Sequence, residues 1–102
     1  MDATVEAKRM ELEALCLTHR VHRLEIFGSA ADGTFDAARS DLDFLVVFEE
    51  ATPVEHAERY LGLLAGLQDL FGCAVDLVEL KAIRNPHFRR GIESSRTLLY
   101  AA

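Results

Sequence analysis

The sequence predicts a small α/β fold, with a sheet of three strands or slightly more flanked by helices. Three observations carry this reading. Short runs with strand parity occur at 21–27, 41–48 and 73–80, longer stretches with helical spacing separate them, and 102 residues leave room for a single core. The order is helix, strand, short helix, strand, helix, strand, helix. No internal repeat, linker or low-complexity segment interrupts it.

Val5, Leu12, Leu15 and Cys16, with Met10 alongside, recur near helical spacing among Glu6, Lys8, Arg9, Glu11 and Glu13, which predicts an amphipathic first helix. From Val21 the period shortens. Leu24 and Ile26 share one strand parity, Phe27 takes the other, and the run ends in a tight turn at Gly28 and Ser29. A brief helix over 30–35 and a flexible stretch over 36–40 come next. Asp41 to Phe48 then alternates: Asp41, Asp43, Leu45 and Val47 face one way, Leu42, Phe44, Val46 and Phe48 the other. One face begins with acids and ends as core.

Thr52-Pro53-Val54-Glu55 is a helix start: Thr52 caps, Pro53 loses no hydrogen bond at the first position, and Glu55 completes a capping box. Val54, Ala57, Leu61, Leu64, Leu67 and Leu70 carry the helix to Gly72, which accepts the left-handed conformation of a helix end. Cys73 to Leu80 forms the third strand, with Val75 and Leu77 opposite in parity to Asp76 and Val78. Pro86 pushes Asn85 out of helical geometry. A last helix after it is expected to carry Phe88, Ile92, Leu98 and Leu99, with Gly91 weakening it locally.

The balance of 17 acidic and 11 basic residues gives a net charge of −6, which argues against strong independent binding to nucleic acid or to an anionic membrane. A metal–nucleotide complex is not disfavoured in the same way, because bound cations reverse the field around carboxylates. Cys16 and Cys73 lack metal-ligand spacing and read as reduced core thiols of a cytoplasmic protein. Residues 1–12 show neither a signal peptide nor a membrane span. A chain this short hides a modest share of its surface, so a partner or a homo-oligomer extends its burial.

The residues that carry chemistry are Gly28-Ser29-Ala30-Ala31-Asp32-Gly33 and Ser40-Asp41-Leu42-Asp43. Gly28 lets a ligand approach the backbone, and Ser29 offers an amide and a hydroxyl to a phosphate. Asp41 and Asp43 leave one face of a strand roughly 6 to 7 Å apart at the backbone, a spacing at which two carboxylates converge on one or two magnesium ions. Without a cation or a shared proton they repel. Asp76 is a third acid inside an apolar strand and needs a partner, a metal or an exposed strand end. Taken singly, Asp41 and Asp43 also read as a solvated strand start, and Asp76 as an edge-strand acid.

Together, Gly28-Ser29, Ser40-Asp41-Leu42-Asp43 and the later Asp76 resemble the signature of the DNA polymerase beta-like nucleotidyltransferase superfamily. Order and length resemble its minimal (MNT) members, the MntA-type antitoxins paired with HEPN-domain toxins, and the likeness extends through Asn85-Pro86-His87-Phe88 and Arg89 to Ile92, Leu98, Leu99 and Tyr100. The resemblance implies a minimal nucleotidyltransferase fold, a small mixed sheet flanked by helices, as a single domain over 1–102. It implies transfer of AMP from ATP to a protein hydroxyl, with Asp41, Asp43 and Asp76 as catalytic metal ligands for two magnesium ions. Gly28, Ser29, Arg39 and Ser40 would hold the nucleotide. Asp32 departs from the family pattern, which carries arginine there, and Arg39 is a substitute cation.

His19, His22 and Glu25 invite a zinc reading, but their element changes between helix and strand and no cysteine completes the set, so solvent-facing or capping roles are expected. His56 and His87 read as structural or surface residues. Lys81, Arg84, Arg89, Arg90 and Arg96 gather positive charge near the C-terminus, either as a solvated helix face or as a contact for a partner or phosphate. Two functional classes follow: an adenylyltransferase that modifies a tyrosine of a HEPN toxin, and a non-catalytic antitoxin that only covers its partner. Transfer to RNA or to an antibiotic is a third, disfavoured by the charge and by the lack of a second substrate domain.

Overall fold

The computed structural model describes residues 3–28, 41–84, 86 and 96–102. Among them run helix α1 (Ala3–Ala7), helix α2 (Arg9–Thr18), strand β1 (Val21–Phe27), strand β2 (Leu42–Phe48), helix α3 (Pro53–Phe71), strand β3 (Val75–Glu79), a 3₁₀ turn (Leu80–Ala82) and strand β4 (Thr97–Ala101). The strands form one mixed sheet in the order β3-β2-β1-β4. β1 is antiparallel to both β2 and β4, and β2 is parallel to β3.

The expected first helix is two pieces. Lys8 leaves helical geometry at φ −110° and ψ 20°, and α2 restarts beyond it. Arg9 explains the placement: its Nη1 donates to the Leu99 carbonyl at 2.9 Å and its Nη2 reaches Glu6 Oε1 at 3.1 Å, tying the start of α2 to β4. Val5, Leu12 and Cys16 are buried, whereas Met10 is 82% exposed and lies off the apolar stripe. Arg20, at φ 56°, turns the chain from α2 into β1.

Helix α3 starts and stops where its sequence says. Thr52 Oγ1 accepts from the Glu55 amide at 3.3 Å, and the Thr52 amide donates to Glu55 Oε1 at 3.0 Å. Gly72 closes the helix at φ 62°. The buried face differs from the expected stripe. Leu63 and Leu67 are fully buried, flanked by Tyr60, Leu64, Leu70 and Phe71, while Val54 and Leu61 are 69% and 63% exposed. The periodic solution 60, 63, 64, 67, 70, 71 fits a 3.6-residue turn better, and a close approach of α2 fixes it. A Cβ on Gly62 would stand 2.6 Å from His19 Cε1, and one on Gly66 2.7 Å from Leu15 Cδ2.

The largest correction is at the C-terminus. Leu98 and Leu99 belong to β4 and not to a last helix. Alternation decides it: Leu99 is buried with the core while Leu98 is partly exposed, and Thr97 and Leu98 pair with Ile26 and Glu25. Phe88 and Ile92, and the expected short helix over 30–35 and stretch over 36–40, lie outside the described residues. The third strand is also shorter than 73–80, because Leu80 already begins the 3₁₀ turn.

The two faces of the sheet are covered differently. Leu24, Ile26, Leu42, Phe44 and Val46 point toward α1, α2 and α3 and form the main core with Val5, Leu12, Cys16, Leu63, Leu67, Leu77 and Leu99. Each buried leucine there contributes about 2 kcal/mol. The opposite face holds a smaller cluster of Phe27, Leu45 and Ile83, with Val78 and Leu80 against it. That second face carries the acids.

Candidate active site

A parallel pair of strands sets the geometry. In the register of β2 and β3, Asp43 is opposite Asp76 and Leu45 opposite Val78. Paired residues of neighbouring strands project to the same side, so the two carboxylates leave the sheet together. Asp41 shares the parity of Asp43 and stands just before β2, where the Leu42 amide donates to the Ala74 carbonyl at 3.1 Å and starts the ladder between the two aspartates. β3 is an edge strand, so Asp76 is exposed; an edge acid and a neighbour of Asp43 are here the same thing.

β1 closes the other side. Phe27 is paired with Asp43, and Gly28 follows at φ 71°. A Cβ built on Gly28 would lie 2.7 Å from Asp43 Oδ2. The left-handed backbone favours glycine, and any Cβ there would have to displace the Asp43 carboxylate.

The electrostatics follow from this packing. Asp43 is half-buried, and its carboxyl is held above the usual aspartate range first by burial, then by the charge of Asp76, then by that of Asp41. A cation beside Asp43 would relieve that cost. Among the described residues no group of three or more histidine, cysteine, aspartate or glutamate side chains is gathered closely enough to hold a metal ion as it stands. The donor set nevertheless fits a hard divalent ion: the oxygens are carboxylate, they share one face, and the field between them is negative. Ser29, Arg39 and Ser40, expected to hold the nucleotide, and Asp32 lie outside the described residues.

Two supporting groups were not assigned to this site from sequence. Tyr60 Oη donates to the Leu77 carbonyl at 2.6 Å and so fixes α3 to β3 beside Asp76; burial, then Asp76 and Glu79, raise its hydroxyl pKa. Glu25, on the same sheet face as Asp43, is 4% exposed and lies between Arg23 Nε at 2.8 Å and Arg96 Nε at 3.2 Å. The signal was its parity, shared with Phe27 and not with Leu24 and Ile26. Arg96 is therefore a partner of a buried acid and no part of a solvated helix face.

His19 ends α2, with its imidazole pKa lowered by burial, and His22 is exposed, so neither joins Glu25 in a ligand set. His56 Nε2 contacts Glu79 Oε1 at 2.7 Å and its ring meets Phe48 edge-on at 5.3 Å. Lys81 and Arg84 are exposed, and His87, Arg89 and Arg90 lie outside the described residues. No described helix is long and apolar enough to cross a membrane.

A model of the nucleotidyltransferase domain family matches residues 9–99, which brackets β1, β2, β3 and all three aspartates. The chain belongs to that family. A relative named as a candidate protein adenylyltransferase of Methanocaldococcus jannaschii is 36% identical to this nucleotidyltransferase over 75 residues, covering 74% of the chain and 73% of the relative. A solved structure described as a candidate minimal nucleotidyltransferase matches with a TM-score of 0.68 at 35% identity, over 95% of each chain. The fold is also that of the MNT antitoxin type seen in a complex with tri-AMPylated HEPN toxin from Shewanella oneidensis; the likeness there has a TM-score of 0.58 at 17% identity, over 95% of the nucleotidyltransferase and 72% of the other chain. At that identity the likeness speaks for the fold.

Proposed function

We propose that this nucleotidyltransferase moves AMP from ATP, with magnesium, to a tyrosine hydroxyl of a cognate HEPN toxin and thereby acts as its antitoxin. The observation that carries the reading is the pairing of Asp43 with Asp76 beside Gly28, in a family whose reaction needs acids and a close backbone approach at one place. The M. jannaschii relative's name supports a protein acceptor, and the AMPylated HEPN toxin in the S. oneidensis complex supports the class of partner.

Asp41 and Asp43 would hold the metal, and Asp76 would share it at the acceptor side. Magnesium held there would supply the charge that neutralises the triphosphate and polarises the α-phosphate. The chain's own residues do the rest. Gly28 leaves room for the phosphates against β1, Ser29 and Ser40 donate hydrogen bonds to them, and Arg39 supplies charge. Asp76, exposed on its edge strand, accepts the proton of the incoming hydroxyl. The hydroxyl oxygen forms a bond to the α-phosphorus as the bond from that phosphorus to the bridging oxygen of the β-phosphate breaks, and pyrophosphate leaves. A net charge of −6 favours docking on a basic partner surface.

The test is incubation with a HEPN protein encoded beside the gene, with magnesium and ATP labelled either at the α- or at the γ-phosphate. Retention of the α-label alone on the partner is expected. A stable complex that retains neither label favours the non-catalytic antitoxin, the reading that Asp32 in place of the family arginine supports.

A further inference from the structure

The cluster that the proposed reaction leaves unused is Glu25 with its two arginines. A buried carboxylate needs a cation, and one arginine satisfies that need. Here there are two, Arg23 on Oε1 and Arg96 on Oε2, so the cluster is net positive within an acidic chain. Glu25 is the one partner either arginine has among the described residues, and the two side chains keep 43% and 31% of their surface accessible. Nothing about neutralising Glu25 requires the second guanidinium.

Position separates the two. Thr97 pairs with Ile26, so Arg96 enters the sheet level with Phe27, which on its other side pairs with Asp43 of β2. Arg96 and Asp43 thus flank the end of β1 and Gly28, with backbones roughly 10 Å apart, two strand spacings. An arginine side chain and a triphosphate span that distance. Arg23 pairs with Val47 and Ala101, four positions down β1 from Phe27 and away from the acids.

We propose that Arg96, oriented by the buried Glu25, binds the outer phosphates of the nucleoside triphosphate and adds a second cation to the one expected of Arg39. The inference rests on the nucleotide reading of the site given above. Glu25 is a positioning residue: its Oε2 lies 3.2 Å from Arg96 Nε, so the guanidinium has less freedom to lose on binding. Arg23 makes its own ion pair with the other carboxylate oxygen, Oε1, and takes no part in holding Arg96.

Equilibrium binding of ATP and of AMP to the full chain in magnesium tests this, with variants Arg96→Gln, Arg96→Lys and Arg23→Gln checked for folding by circular dichroism and melting. Arg96→Gln is expected to weaken ATP about tenfold or more, the worth of a lost charge-assisted contact, and to leave AMP within about twofold. Arg96→Lys keeps a charge for Glu25 but not the fork, so it should fall between and serves if the glutamine variant does not fold. Arg23→Gln removes an ion pair of Glu25 yet should leave the ratio of ATP to AMP affinity near wild type. Equal weakening of both nucleotides by Arg96→Gln, or an Arg23→Gln effect matching it, overturns the assignment and leaves a structural triad. Unchanged ATP binding in Arg96→Gln overturns it alone; a wild-type chain that binds neither nucleotide overturns the nucleotide reading with it.

Discussion

Asp43 and Asp76 occupy directly paired positions of the parallel strands β2 and β3, with like charges on one face of the sheet. Such pairs cost stability unless something positive lies between them. In this fold the cost is concentrated on Asp43, which burial and both neighbouring aspartates oppose in its charged form.

Asp43→Asn should therefore separate function from stability. Without divalent ions the variant should melt a few degrees above wild type, since about 0.2–1 kcal/mol of cross-strand repulsion is removed. Magnesium should raise the melting temperature of wild type and have little effect on the variant, while transfer falls about a hundredfold or more. Scanning fluorimetry with and without magnesium, beside initial rates at matched folded concentration, reads all three; equal rates count against Asp43 as a ligand.

Two glycines with similar backbones should behave differently. Gly28 and Gly72 both have positive φ, at 71° and 62°, but only Gly28 faces a neighbour, Asp43 Oδ2. Gly72→Ala is expected to cost about 1–2 kcal/mol of backbone strain and to leave transfer intact. Gly28→Ala carries the same strain and also displaces the Asp43 carboxylate, so its transfer rate should drop about a hundredfold. Denaturant melts and rates on the two proteins give the comparison, and parallel losses of activity would contradict it.

Much of this arrangement was readable in the sequence, for identifiable reasons. The alternation from Asp41 to Phe48 fixed which residues share a face, and Thr52, Glu55 and Gly72 mark helix ends through local hydrogen bonds and backbone preference, which need no tertiary information. What was missed depends on neighbours distant in sequence. The side of α3 that is buried is selected by α2 packing over Gly62 and Gly66, so Val54 and Leu61 are exposed although they continue an apolar stripe. Leu98 and Leu99 read as a helix end because a five-residue strand has too short a period to declare itself without β1 beside it. Glu25 looked like a surface acid until Arg96, from the far end of the chain, was brought to it.

The thiols give a pH-dependent prediction. Burial, and to a lesser degree Glu13, pushes Cys16 up to about 12, while Cys73 is raised less, by burial and Asp41 against a hydrogen bond from the Leu42 amide. A thiol whose folded pKa exceeds its unfolded value stabilises the fold at lower pH and loses that contribution as pH climbs toward the folded value. Near pH 8 an aromatic disulfide reagent should modify Cys73 first and Cys16 only as fast as the protein opens, and stability should decline between about pH 9 and 12. Rapid labelling of Cys16 in the native protein would contradict its place in the core.

A working transferase with a protein acceptor leaves its product on the partner, where peptide mass spectrometry detects it. A HEPN partner is incubated with ATP and magnesium and either the wild-type chain or the Asp41→Asn, Asp43→Asn double variant, then digested and sequenced by fragmentation. An adenylyl group on a tyrosine with the wild type, and none with the double variant, is the result expected. An unmodified partner that is nonetheless fully inhibited in a stable complex with either protein would contradict it.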